Sequence, residues 1–360
     1  MKAWRFYGPG DFRLDDVPVP EIDDCSVLVK VKVVQPSVTE TEIIKGPIVS
    51  YSKQAAKLLA EGKPVQRGHE YCGEVVKTGR RVTSLRAGDR VTSTGEIHCG
   101  FCRMCLSGRY PECSSPLHMG GEIPGAFAEY ISLPEYALVK IPDGLTDHEV
   151  ATLQPFSACV GAVYSAEIGM GDTVVVLGQG VLGLGILQLA KLSLCGPLIA
   201  VDVQSRNLEL SHKYGASHVI NAKHADVVKE ISRLTYGEGP DIVFDAAGGS
   251  PQHGLSGFET VRQAFEMVRL GGKIIQVANL QGTMDLDIRL FRRKRIRYIS
   301  PFPGTIEFLR TSAFLVANGR VEVRSQITHI LHGLEKLPEA IEITENKAKY
   351  GAMNPAQIVL

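Results

Sequence analysis

The sequence predicts an α/β protein of two domains, one a doubly wound parallel sheet and the other mainly β. Three observations predict it. Short apolar strands alternate with helix-length segments from Thr173 onward; a glycine-rich turn, Gly178 to Gly183, joins a β-branched run to an apolar helix; and the first 150 or so residues read as strands broken by Gly and Pro.

Taken in order, Cys25 to Val34 alternates partially, and Glu74 to Thr92 reads as strand, turn and strand, with Gly79 and Gly88-Asp89 as punctuation. Within the stretch from Pro47 to Gln66 a short helix is expected over Ser52 to Ala60. Beyond Pro155 the period changes. Thr173 to Leu177, Val181 to Leu192 and Leu198 to Val203 form a strand–helix–strand unit, and the alternation continues to the strand Lys273 to Val277. A basic run, a helix over Thr305 to Asn318 and a final strand near Gln357 to Leu360 then break the rhythm. Residues 1–155 with 290–360 are therefore expected to form one domain and 156–289 the other.

Composition limits the partners. Lys+Arg and Asp+Glu stand at 39 each, so no net field gathers nucleic acid, and a small-molecule partner is expected. Arg289, Arg292, Arg293, Lys294, Arg295 and Arg297 make a run too short to change this; it reads as a solvated turn within reach of cofactor phosphates. Met1 to Gly10 has no secretion-signal pattern, so the cytoplasm is expected. The apolar run Val174 to Ala190 is interrupted by glycines and glutamines and is too short for a membrane span.

Gly178-Gln179-Gly180-Val181-Leu182-Gly183 follows a strand and opens a helix, the context in which G-x-G-x-x-G binds a dinucleotide in a Rossmann sheet. Gly178 makes the tight turn, Gly180 lets a pyrophosphate approach the backbone, and Gly183 lets helix and strand pack closely. Asp202 ends the next strand, where a carboxylate accepts from ribose hydroxyls and repels a 2′-phosphate, favouring NAD over NADP; Arg206 weighs slightly the other way.

Cys99-x2-Cys102-x2-Cys105-x7-Cys113 crowds four of the eight cysteines together, with Gly100 and Gly108 giving the chain freedom to wrap an ion. Four thiolates close the coordination sphere of a zinc, which then braces the fold and does no chemistry. An iron–sulfur cluster or free thiols are the alternatives.

Gly68-His69-Glu70, the cysteine lobe, the glycine motif and Asp202 resemble, in order and spacing, the zinc-containing alcohol and polyol (sorbitol-type) dehydrogenases of the medium-chain dehydrogenase/reductase superfamily. The resemblance covers nearly the whole chain and implies a GroES-like catalytic domain and a homo-oligomer, dimer or tetramer. It also implies a catalytic zinc held by a cysteine, the His-Glu pair and sometimes a further Glu. Here the cysteine position corresponds to Ser37 in Ser37-Val38-Thr39-Glu40, and the later Glu-Pro to Gln154-Pro155, so two anionic groups are neutral. Glu40 or Glu42 turned inward is a candidate substitute ligand, and Thr39 stands at the family's hydroxyl-relay position.

Three functions stay open. In the first, a metal at His69 and Glu70 polarises an alcohol or ketone oxygen while hydride passes to or from NAD. In the second, Ser37, Thr39, His69 and Glu70 act without metal by hydrogen bonding, as in a zinc-independent reductase, or around a retained NAD in an epimerase or lyase. In the third, the protein binds a dinucleotide and catalyses nothing.

Overall fold

A computed structural model describes every residue except 47–52, 249–257, 281 and 303, so the start of the expected helix at Ser52 lies outside the described residues. The chain forms two compact units, Met1–Ser157 with Gly304–Leu360, and Ala158–Pro303.

In the first unit the strand Ser26–Gln35 is the spine. Val27, Val29, Val31 and Val33 point inward at period two, each 2% exposed or less. Glu70–Thr78 pairs along one edge of it, Tyr130–Pro134 along part of its length, and Gln357–Val359 along the other edge. Ile358 faces Val34 and is 0% exposed, so apolar burial returns the C-terminal strand to this unit. Beneath the sheet lie Phe6, Tyr71 and Phe127, with Leu337 and Ala340 from the helix Leu337–Glu345. Lys53–Ala60 is helical.

The second unit is a six-stranded parallel sheet in the order His218–Asn221, Leu198–Asp202, Val174–Leu177, Ile242–Asp245, Lys273–Gln276, Arg297–Ile299. The chain winds outward from Val174–Leu177 in both directions, so the crevice between diverging connections opens at that strand's C-terminal end. The apolar run from Val174 is a fully buried strand, a turn and the helix Val181–Leu192, and no described helix is long and apolar enough to cross a membrane.

One expectation changes. Residues 290–303 stay with the parallel sheet, because Arg297–Ile299 pairs with Lys273–Ile275, Ile296 is buried in this unit's core, and Tyr298 stacks on Phe265. The end of the basic run lies at the N-terminal edge of the strands, where Arg297 pairs with Lys273 and the Lys294 carbonyl accepts from Gly271 N, while the glycine turn follows the C-terminal edge.

Candidate active site and cysteine lobe

The three glycines of the second unit's turn do different work. Gly178 has φ +83°, and a Cβ there would lie 2.7 Å from Ala247 Cα; a Cβ on Gly183 would lie 1.8 Å from the Gly178 oxygen. Both positions demand glycine for packing. A Cβ on Gly180 meets nothing within 4 Å, and Gly180 caps the helix Val181–Leu192 with no side-chain acceptor. The first-turn N–H groups at Val181 and Leu182 therefore face a space that glycine keeps clear, with the positive end of the helix dipole behind them. That cradle suits a pyrophosphate. Asp202 borders it, accepting from Gln179 N at 2.6 Å and Gln204 N at 2.7 Å, which fixes its carboxylate beside the turn. The Gln179 side chain is structural, donating to the Val176 carbonyl and accepting from Ser211. Arg206 is exposed on the helix Ser205–Lys213. A cavity of about 600 Å³ lies in the same unit, lined by Leu182, Gln276, Ala278 and Phe302 among others.

In the first unit, Ser37 caps the helix Val38–Lys45 in a reciprocal box with Glu40: Ser37 Oγ accepts from Glu40 N, and Glu40 Oε2 accepts from Ser37 N at 3.2 Å. The box turns the Glu40 carboxylate inward. Its other oxygen accepts from Gly68 N at 2.7 Å and pairs with His69 Nδ1 at 3.1 Å. A carboxylate only accepts, so Nδ1 carries a proton and the opposite nitrogen, Nε2, is the working edge of the ring; it stands 4.0 Å from Glu70 Oε1. Gln154, at the start of the helix Leu153–Ala166, packs with His69 over Gly95: a Cβ there would lie 3.0 Å from His69 Cδ2 and 3.2 Å from Gln154 Nε2. Thr39 is exposed in the helix's first turn.

Burial alone would depress the His69 imidazole, but the charge and hydrogen bond of Glu40 outweigh it and raise the ring to about 9. Burial alone would raise Glu40; His69 outweighs it and holds that carboxyl below its ordinary value. Glu70 is pushed up to about 7 by burial, which His69 and Gln35 only partly offset. Lys347 is lowered to about 8 by burial, against the opposing pull of Glu70.

The cysteine lobe is different in kind. The Cys99, Cys102, Cys105 and Cys113 sulfurs all lie within 4.8 Å of one another, with closest pairs at 3.5 Å and 3.9 Å. Tetrahedral zinc–thiolate bonds place sulfurs roughly 3.8 Å apart. Backbone N–H groups of Cys105 and Ser114 donate to Cys102 and hold its thiol well below the usual range, as a thiolate ligand requires. Four zinc ligands are in place here. Around His69 they are not: among the described residues the cysteine set is the one group of three or more His, Cys, Asp or Glu ligand atoms so gathered. Glu40 binds the far nitrogen of His69 and backbone amides, leaving His69 Nε2 and a Glu70 oxygen as the strong donors beside a neutral hydroxyl and carboxamide. Two strong donors do not fit a protein zinc site.

Residues 23–143 match the family described as alcohol dehydrogenase GroES-like domain, and residues 181–316 match that described as zinc-binding dehydrogenase. An uncharacterized zinc-type alcohol dehydrogenase-like protein of Escherichia coli is 30% identical over 353 residues, covering 95% of this chain and 94% of that one. The chain belongs to the zinc-type medium-chain dehydrogenase/reductase superfamily. It is an oxidoreductase. This dehydrogenase is also similar to sorbitol dehydrogenase of Bacillus subtilis, 29% identical with 95% of this chain and 93% of that one covered. Among solved structures, a putative zinc-binding dehydrogenase from Sinorhizobium meliloti bound to NADP superposes with TM-score 0.85 at 27% identity, covering 100% and 99% of the two chains.

The structure thus brings Ser37, His69, Glu70 and Gln154 into one neighbourhood of the dehydrogenase's first unit, with Thr39 at its exposed margin. Glu40 turns inward as the sequence allowed, but as the partner of His69 Nδ1. Sequence reasoning missed Gln35, Gln357 and Lys347, because a lone amide or lysine far along the chain carries no motif.

Proposed function

We propose that this dehydrogenase moves hydride between NAD and a secondary alcohol, polyol or cyclic ketone, holding the substrate oxygen with hydrogen bonds from His69 and its neighbours. The observation that carries this is the His69 ring, pinned at Nδ1 by buried Glu40 with Nε2 turned to Glu70. A bound nicotinamide supplies the hydride acceptor for oxidation and the donor for reduction. In the reducing direction His69, protonated at neutral pH, donates from Nε2 to the carbonyl oxygen. In the oxidising direction the same path runs backwards: the alcohol proton returns to His69 Nε2, and Glu70, 4.0 Å from that nitrogen with its carboxyl near neutrality through burial, receives it in turn. Ser37 and Gln154 add neutral hydrogen bonds at the oxygen, and Thr39 hands the proton to solvent.

NAD is assigned over NADP because the Asp202 carboxylate, held at the cradle by two backbone amides, repels a 2′-phosphate. Gly178, Gly180, Val181, Leu182 and Gly183 form the phosphate cradle, and the four cysteines hold one structural zinc. The same reading makes the protein a cytoplasmic homo-oligomer.

The test is nicotinamide-linked turnover on a panel of secondary alcohols, polyols and cyclic ketones, with zinc counted per chain. Turnover that survives a strong zinc chelator, at about one zinc per chain, supports the proposal. Chelator-sensitive turnover at about two zinc per chain overturns the metal-free mechanism.

A further inference from the structure

Three neighbouring strands of the first unit place a row of polar side chains in its interior. Gln35, the last residue of Ser26–Gln35, pairs in register with Glu70, the first of Glu70–Thr78, and Gln357 opens the strand on the other side. Gln35 Nε2 donates to Glu70 Oε2 at 2.6 Å, Gln357 Nε2 donates to Gln35 Oε1 at 2.9 Å, and Gln357 Oε1 meets His148 Nδ1 at 2.7 Å. Both glutamines are 0% exposed.

One contact sets the direction of the row. Gln357 Nε2 also donates to the backbone carbonyl of His148 at 2.9 Å. A carbonyl only accepts, so the Gln357 amide cannot be turned over. Its second N–H then goes to Gln35 Oε1, Gln35 must present its own amide hydrogens to Glu70, and His148 must carry a proton on Nδ1.

We propose that Gln357 and Gln35 are positioning residues: an amide relay, anchored on the His148 backbone, that aims its donors at Glu70 Oε2 and leaves Oε1 as the oxygen facing His69. The inference rests on the reading in which Glu70 accepts the substrate proton, and deepens it. A carboxylate has two equivalent oxygens and a soft terminal torsion; saturating one with a directed donor decides which oxygen works. Each link polarises the next in the same sense, so the anchor acts on Glu70 two side chains away.

The polarity makes the test. In Gln357→Glu the carboxylate cannot donate to Gln35, whose amide turns and sets its oxygen against Glu70. In Gln35→Met the relay is cut without being reversed. Turnover with the best substrate of the panel is expected to fall about 10- to 100-fold in Gln357→Glu, while KM for NAD stays unchanged. Gln35→Met loses only a few-fold, and adding it to Gln357→Glu restores turnover to the Gln35→Met level. A purely structural role gives the opposite result, further loss in the double variant, and overturns the relay. Independently of any substrate, the ¹⁵N shifts of the His148 imidazole in the wild-type protein must report a proton on Nδ1; a neutral ring protonated on Nε2 overturns the assignment. Undiminished turnover in Glu70→Gln defeats the proposed role of Glu70, whereas loss there with full activity in Gln357→Glu defeats the relay alone.

Discussion

The cysteine lobe and the His69 pocket belong to the same unit, and the resemblance to zinc-containing dehydrogenases implies metal at both places. Here the two differ. At the lobe four sulfurs converge from a short segment, and backbone N–H groups already stabilise a thiolate. At the pocket the hydroxyl of Ser37 and the carboxamide of Gln154 stand where the resemblance implies two anionic groups, and the nearest extra carboxylate, Glu40, is committed to His69 Nδ1 and to backbone amides. The difference teaches that a histidine and a carboxylate do not make a zinc site by proximity; the number of strong donors that converge on one point decides. What the pocket gains is a half-buried imidazole raised to about 9, the group to which the proposed mechanism assigns proton donation.

The hardest blow to this contrast is Cys102→Ser. It is expected to empty the lobe of zinc and lower the melting temperature by roughly 10 °C or more, since structural zinc contributes directly to folding. Metal analysis with calorimetry checks it. Next in size, His69→Asn is expected to cut turnover by about 10²-fold or more at unchanged zinc content, as for loss of a general acid; steady-state rates decide. The double variant Ser37→Cys with Gln154→Glu sharpens the comparison from the other side. With two anionic groups returned beside His69 and Glu70, zinc is expected to rise from about one to about two per chain, by elemental analysis. Asp202→Ser is expected to move the ratio of kcat/KM for NAD over NADP about tenfold towards NADP, measured with both coenzymes.

The smallest effect belongs to His118, held between Glu96 at 2.8 Å and Glu122 at 2.9 Å beside the lobe. The hydrogen bond to Glu96, with that to Glu122, outweighs burial and raises this imidazole to about 9. The folded state therefore holds the proton more tightly than the unfolded chain. The clamp's stabilisation is complete below the ordinary histidine value of about 6.5 and is lost as pH climbs through about 9. Melting curves across that window are expected to show a smaller loss in His118→Gln than in the wild type, the remainder belonging to His69, whose imidazole is also raised to about 9.

Much of the fold was legible because its signals are local. Period-two valines marked Ser26–Gln35, and the glycine turn lay between a β-branched run and a helix. The boundary near residue 290 was misplaced because a three-residue strand, Arg297–Ile299, has too little pattern to announce that it completes the parallel sheet. Its partner Lys273–Gln276 and the stack of Tyr298 on Phe265 decide it. Where the end of the basic run lands was hidden for a related reason: charge is visible in a sequence, but the edge of a sheet on which Arg297 lands is not.

One thing could be read from the order of residues alone: that four thiols lie close enough along the chain to share one ion, because short spacing confines them. That Ser37 and Gln154 are neutral where anionic groups are expected needed, besides the sequence, the resemblance to the zinc-containing dehydrogenases. The direction of the Glu40 carboxylate, the open edge of His69 and the amide row from His148 to Glu70 came only with the tertiary structure. They join residues as far apart in sequence as Gln35 and Gln357, and a side-chain amide has no preferred donor direction until folding sets a carbonyl against it.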